Sequence, residues 1–183
     1  MRSKPCAALL RPPRGSCAAA ERGVAPNDPL RKARLLVLVT PALLLAGAYV
    51  SQYVFGLYPC EMCWWQRYAH FAALVFAGLA WAVRPMALFT ALAALAIAVA
   101  AALGALHAGV EYGWWQGLTA CSASLTAGAD PLEAILGAPI VRCDVAPWSL
   151  FGISLAGWNF LVSGMAAAGA AILLVRGARG PGA

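Results

Sequence analysis

Residues 57–67 read Leu57-Tyr58-Pro59-Cys60-Glu61-Met62-Cys63-Trp64-Trp65-Gln66-Arg67, a short polar and aromatic run set between two apolar stretches. Upstream, Leu35 to Phe55 is apolar except for Thr40, Ser51 and Gln52, and about twenty such residues at a rise of 1.5 Å cross a hydrocarbon core. Downstream, Trp64 to Val83 forms a second span, stopped by Arg84-Pro85. The run is therefore a tight loop pinned between two membrane helices.

Two thiols separated by two residues can close a small disulfide or hold a metal. A helix that begins over Met62 to Trp65 puts Cys63 in its first turn, where the unsatisfied N–H groups favour thiolate over thiol. Arg67 follows Cys63 by four residues, so on a helix it faces the same side and adds a full positive charge one turn deeper. That is an environment for a reactive sulfur. Taken alone, the same pair also suits a metal knuckle or a structural disulfide.

Two further spans follow, Met86 to Leu106, dominated by alanine, and Leu150 to Val175. The expected fold is all-α, a four-helix transmembrane bundle with two outer loops. Gly78 and Gly104 would let helices approach closely where lipid supplies no hydrophobic drive. With 183 residues, 62% hydrophobic and only 11% charged, the chain is a one-domain membrane protein rather than an ordinary soluble one. Its parts would be a disordered basic tail over 1–34, a membrane domain over 35–176 and a short tail over 177–183. The first thirty residues have no apolar period, and Leu9 and Leu10 are flanked by prolines and arginines, unlike a secretory signal.

Lys and Arg number 13 against 7 Asp and Glu, and position matters more than the sum. Arg2, Lys4, Arg11, Arg14, Arg22, Arg31, Lys32 and Arg34 all precede the first span, and Arg84, Arg176 and Arg179 fall on the same side. The positive-inside rule puts both termini in the cytoplasm. No basic stripe interleaved with aromatics is present, which argues against nucleic acid as a partner.

Gly109 to Pro147 is the long polar connection between spans. Within it Asp130-Pro131-Leu132-Glu133-Ala134-Ile135-Leu136-Gly137 has an N-cap, a proline at N1 and a terminal glycine, which predicts a short helix on the membrane surface. Trp114, Trp115 and Trp148 mark the interface. Cys60, Cys63, Cys121 and Cys143 then share the outer, oxidising side, whereas Cys6 and Cys17 stay reduced in the cytosol. From spacing, Cys121 and Cys143 read as a loop-pinning disulfide or as half of a four-cysteine metal site, although 21 residues separate them.

The order Pro59-Cys60-x-x-Cys63, an aromatic pair, Gln66-Arg67 and an apolar helix resembles the bacterial disulfide bond formation protein B family. The resemblance spans about residues 35 to 175 and includes the four-span plan, both cysteine pairs and Pro147-Trp148-Ser149-Leu150-Phe151-Gly152 ahead of the last helix. It implies an inner-membrane thiol-disulfide oxidoreductase that reoxidises a periplasmic DsbA-like protein of thioredoxin fold and passes the electrons to quinone, ubiquinone or menaquinone. By the same resemblance Cys121 accepts the partner, Cys143 relays to Cys60, Cys63 is the thiolate that meets quinone, and Arg67 assists the quinone. The rival reading is a non-enzymatic membrane protein whose outward cysteines bind metal or form structural disulfides.

Arginine inside a span costs up to about 2.5 to 3.5 kcal/mol at mid-helix and less near an end, so Arg67 either serves the site or snorkels to headgroups. His107 and Glu111, at helical spacing near the outer end of the third span, are expected as an interfacial pair. Asn159 is expected to hydrogen-bond between helices. Trp64 and Trp65 are expected as interfacial anchors.

Overall fold

The structure, a computed structural model, describes residues 28–117, 122–123 and 140–179. Cys6, Cys17, Cys121 and the predicted surface helix over 130–137 lie outside the described residues. Among the described residues four long helices carry the fold: α1 (Pro29–Tyr53), α2 (Glu61–Ala82), α3 (Met86–Glu111) and α4 (Leu155–Arg179). Between α3 and α4 the described residues also form two small antiparallel pairs, β1 (Ser122–Ala123) with β2 (Ile140–Val141), and β3 (Ser149–Leu150) with β4 (Ile153–Ser154).

The helix starts follow local chemistry. Asp28 caps α1 by accepting from the Leu30 N–H at 3.1 Å, and Pro29 takes the first helical position, where its missing N–H costs nothing. The helix thus begins earlier than the expected Leu35. Arg34 is brought onto it, where it is buried with its guanidinium 3.8 Å from the centre of the Trp81 ring. Pro41 lies inside α1, which continues through it to Tyr53.

The last helix starts later than the expected Leu150. Phe151 and Gly152 both have positive φ, 53° and 75°, and they turn the chain into the β3–β4 hairpin before Leu155. Apolar composition carries no mark of such a turn. Ser154 then accepts from the Gly157 N–H at 3.1 Å.

Helices α1, α3 and α4 are long and apolar enough to cross a membrane. Helix α2 has the length, at 22 residues, but opens with the polar and aromatic run that the site needs. The α2–α3 and α3–α4 contacts are the most extensive. One core, Val37, Ala73, Ala77, Ala93, Ala94, Ile97, Ala166 and Ala170, fills the half of the bundle at the start of α1. Small side chains there bring backbones together, as expected where packing replaces hydrophobic drive. Gly104 serves the same end, since a Cβ on it would lie 3.0 Å from Ala156 O and Phe160 N of α4. Gly78 does not, for nothing lies within 4 Å of its Cβ position. A second cluster, Cys60, Met62, Val110 and Cys143, closes the other end of the bundle.

Candidate redox site and the cavity behind it

Cys60 caps α2, its backbone extended after Pro59 and its sulfur accepting from the Cys63 N–H at 3.3 Å. The cap puts the two side chains together, and the Cys60 thiol donates to the Cys63 sulfur at 3.2 Å. That hydrogen bond and burial push the Cys60 thiol up to about 12. Of the pair, Cys60 is the one that keeps its proton.

The second loop delivers a third sulfur. Cys143 is buried, and its Sγ, the Cys60 Sγ and a ring nitrogen of His107 all lie within 4.8 Å of one another. Its neighbours form a fork across it, Arg142 Nε to Asp144 Oδ1 at 2.9 Å and Nη2 to Oδ2 at 2.5 Å. The guanidinium holds the Asp144 carboxyl below its usual range. Two thiols and an imidazole are also a donor set that a soft metal would take.

Arg67 does not snorkel. It is 6% exposed and turns toward α1, with Nη1 donating to Gln52 Oε1 at 2.6 Å and Nη2 to Ala48 O at 3.2 Å. The rings of Tyr49 and Trp64 lie 4.9 and 5.0 Å from its carbon centre, so Trp64 acts as a cation–π partner rather than only as an interfacial anchor.

The expected interfacial pair is corrected as well. The side chains of His107 and Glu111 are 3% and 2% exposed, 3.7 Å apart, and Glu111 Oε2 has no hydrogen-bond partner among the described residues. The cause is the β3–β4 hairpin and the second loop, which cover the end of α3: Tyr112 donates to Gly152 O, and its hydroxyl accepts from the Ser154 N–H. Asn159 hydrogen-bonds between helices as expected, donating to Gln66 Oε1 of α2 at 2.7 Å and Ala100 O of α3 at 3.1 Å.

Behind the dithiol lies a cavity of about 260 Å³. Its walls include Leu43, Leu44 and Leu45 of α1 and Leu57 of the loop, while Cys63, Gln66, Arg67, His70, His107, Glu111 and Asn159 supply the polar lining. Cys63, Gln66, Arg67 and His70 stand at i, i+3, i+4 and i+7, the spacing of one helical face. That pattern was available in the sequence and would have flagged Gln66 and His70. The Gln52 partner of Arg67 lies on another helix and had no such mark.

The family model described as Disulfide bond formation protein DsbB matches residues 30–173. The chain belongs to the DsbB family. It is similar to Disulfide bond formation protein B of Verminephrobacter eiseniae (strain EF01-2), 36% identical over 84% of this chain and 90% of that one. The protein of the same name from Acidovorax sp. (strain JS42) is 37% identical over 80% and 90%. An uncharacterized protein, RP370, of Rickettsia prowazekii (strain Madrid E) is 25% identical over 70% and 78%. No solved structure matches the chain significantly. As a DsbB relative the chain is a membrane disulfide-generating oxidoreductase, which sets aside the non-enzymatic alternative. Of the five residues expected to act, Cys60, Cys63, Cys143 and Arg67 are gathered here, and Cys121 lies outside the described residues.

Proposed function

We propose that this DsbB relative reoxidises a periplasmic thioredoxin-fold dithiol protein of the DsbA kind and hands two electrons to a membrane quinone, ubiquinone or menaquinone. One observation carries the reading: the sulfurs of Cys143, Cys60 and Cys63 follow one another from the second loop to α2, and Cys63 lines an apolar cavity together with Arg67. A quinone ring is a flat apolar body with oxygens on opposite edges, and such ligands take apolar pockets with a few placed polar groups. The leucines of α1 supply walls, and Arg67 supplies a fixed donor. His70 Nδ1 and Glu111 Oε2 are buried polar atoms for which the described residues offer no partner. These residues fit the group, which when bound supplies an acceptor for two electrons and two protons.

The protein's own part is thiol-disulfide exchange. A partner thiolate attacks Cys121 of a Cys121–Cys143 disulfide and displaces Cys143, which attacks Cys60 of the Cys60–Cys63 disulfide and frees Cys63. Each exchange makes one S–S bond for the one it breaks, and each is faster when the leaving sulfur is a stable thiolate. The helix start and Arg67 give Cys63 that character. The charge asymmetry supports both termini in the cytoplasm and both cysteine pairs outside the bacterial inner membrane.

The order of exchange is open to a direct test. Cys143→Ser, mixed with a partner lacking its own resolving cysteine, should accumulate a disulfide-linked complex through Cys121, seen on a non-reducing gel and assigned by peptide mapping. Cys63→Ser should abolish quinone reduction, read by absorbance. An adduct mapping to Cys60 or Cys63 would make the first loop the docking site and end the two-loop relay.

A further inference from the structure

The tautomers of both histidines follow from two backbone carbonyls. Asn159 Nδ2 donates to Ala100 O, which fixes the orientation of its amide, and the same nitrogen donates to Gln66 Oε1. Gln66 therefore presents its own nitrogen to Met62 O at 3.2 Å and to His107 Nδ1 at 2.9 Å. Neutral His107 thus carries its hydrogen on Nε2, toward Cys60 and Glu111. On the other side, Asn159 Oδ1 accepts from Ser163 Oγ and faces His70 Nε2, both at 2.9 Å. An oxygen calls for a hydrogen there, so His70 also holds its hydrogen on Nε2.

His70 Nδ1 is then a bare acceptor. The residue is 3% exposed, lines the cavity, and its Nδ1 is buried with no partner among the described residues. A buried acceptor left unpaired destabilises the fold unless something else satisfies it. On α2 it stands seven residues beyond Cys63, two turns or about 10 Å farther along the same face.

We propose that His70 contacts the reduced carrier, its Nδ1 accepting a hydroxyl hydrogen from a hydroquinone in the cavity. This rests on the reading of the cavity as the quinone site. As the Cys60–Cys63 bond forms, the two thiols give up two electrons and two protons, and the quinone becomes a hydroquinone with two new O–H bonds. A carbonyl oxygen has no hydrogen to offer a bare nitrogen, whereas a hydroxyl has. His70 therefore tells product from substrate, and Arg67, a donor, does not.

The chain has two histidines, which makes the test direct. Full-length protein labelled with ¹⁵N-histidine, with Cys63→Ser to block turnover, is titrated in detergent with a short-chain benzoquinone and with its hydroquinone under anaerobic conditions. The His70 signals are those missing from a His70→Phe sample. The unprotonated nitrogen of His70 should move toward the protonated range with hydroquinone and stay in place with quinone. His70→Phe should weaken hydroquinone binding about tenfold, the worth of one hydrogen bond, and quinone binding less than about twofold. If both forms bind and the nitrogen responds to neither, or equally to both, the role of His70 is wrong and the quinone site stands. If neither form binds, the quinone reading itself fails, and this inference fails with it.

Discussion

At the scale of single residues the site depends on charge placed where lipid would refuse it. Arg67 is held by Gln52 and Ala48 and flanked by two aromatic rings, so its position is fixed before any ligand arrives. A hydrogen bond to a charged group is worth about 1.5 to 3 kcal/mol. Arg67→Ala should therefore raise the KM for quinone by roughly ten- to a hundredfold. It should slow the thiol exchange between Cys143 and Cys60 to a smaller extent, because Cys63 keeps the helix start but loses a charge that steadies it as a leaving thiolate. Single-turnover kinetics with and without quinone separates the two. Arg67→Lys should restore little, because a point charge cannot span the Gln52 and Ala48 acceptors as a guanidinium does.

At the scale of elements, α3 and α4 are held as close as Gly104 allows. The atoms a Cβ would meet are Ala156 O, Phe160 N and Asn159 Nδ2, two of them backbone and unable to swing aside. Gly104→Val should separate the helices and pull Asn159 away from Gln66 and Ala100. Overpacking of this kind costs about 1 to 3 kcal/mol, and the loss of interhelical bonds adds about 0.6 kcal/mol each. The thermal midpoint in detergent should fall accordingly, whereas Gly78→Ala, with open space at its Cβ position and a better helix former in place of glycine, should not lower it. A Gly104→Val protein as stable as the parent would mean the α3–α4 seam is not tightly packed.

At the scale of the whole molecule, the bundle is polarised. Alanines pack the end nearest the basic residues of α1, and sulfur, imidazole and carboxyl groups gather at the other. Membrane-impermeant maleimide, applied to intact cells after reduction, should label Cys121 and spare Cys6 and Cys17. Burial of Cys60 and Cys143 should keep their labelling slow. Labelling of Cys6 or Cys17 from outside would invert the protein and end the periplasmic reading.

What the sequence determined by itself was set by short-range chemistry. Residues 57–67 told of a dithiol at a helix start, apolar runs of helical length told of a membrane bundle, and the Arg67 spacing put a cation on the face of Cys63. These follow from helix period, from the length of a hydrocarbon crossing and from the charge at a helix terminus. Tertiary structure alone decided what met that face. The approach of Cys143 to Cys60, the Gln52 acceptor, the burial of His107 and Glu111, and the bare nitrogen of His70 each involve groups from different elements. The hairpin at Phe151 and Gly152 that starts α4 at Leu155 rather than at Leu150 rests on two positive φ angles, which no apolar pattern encodes. Local propensity chooses elements, but an inward-facing polar atom finds its partner only once helices distant in sequence have packed.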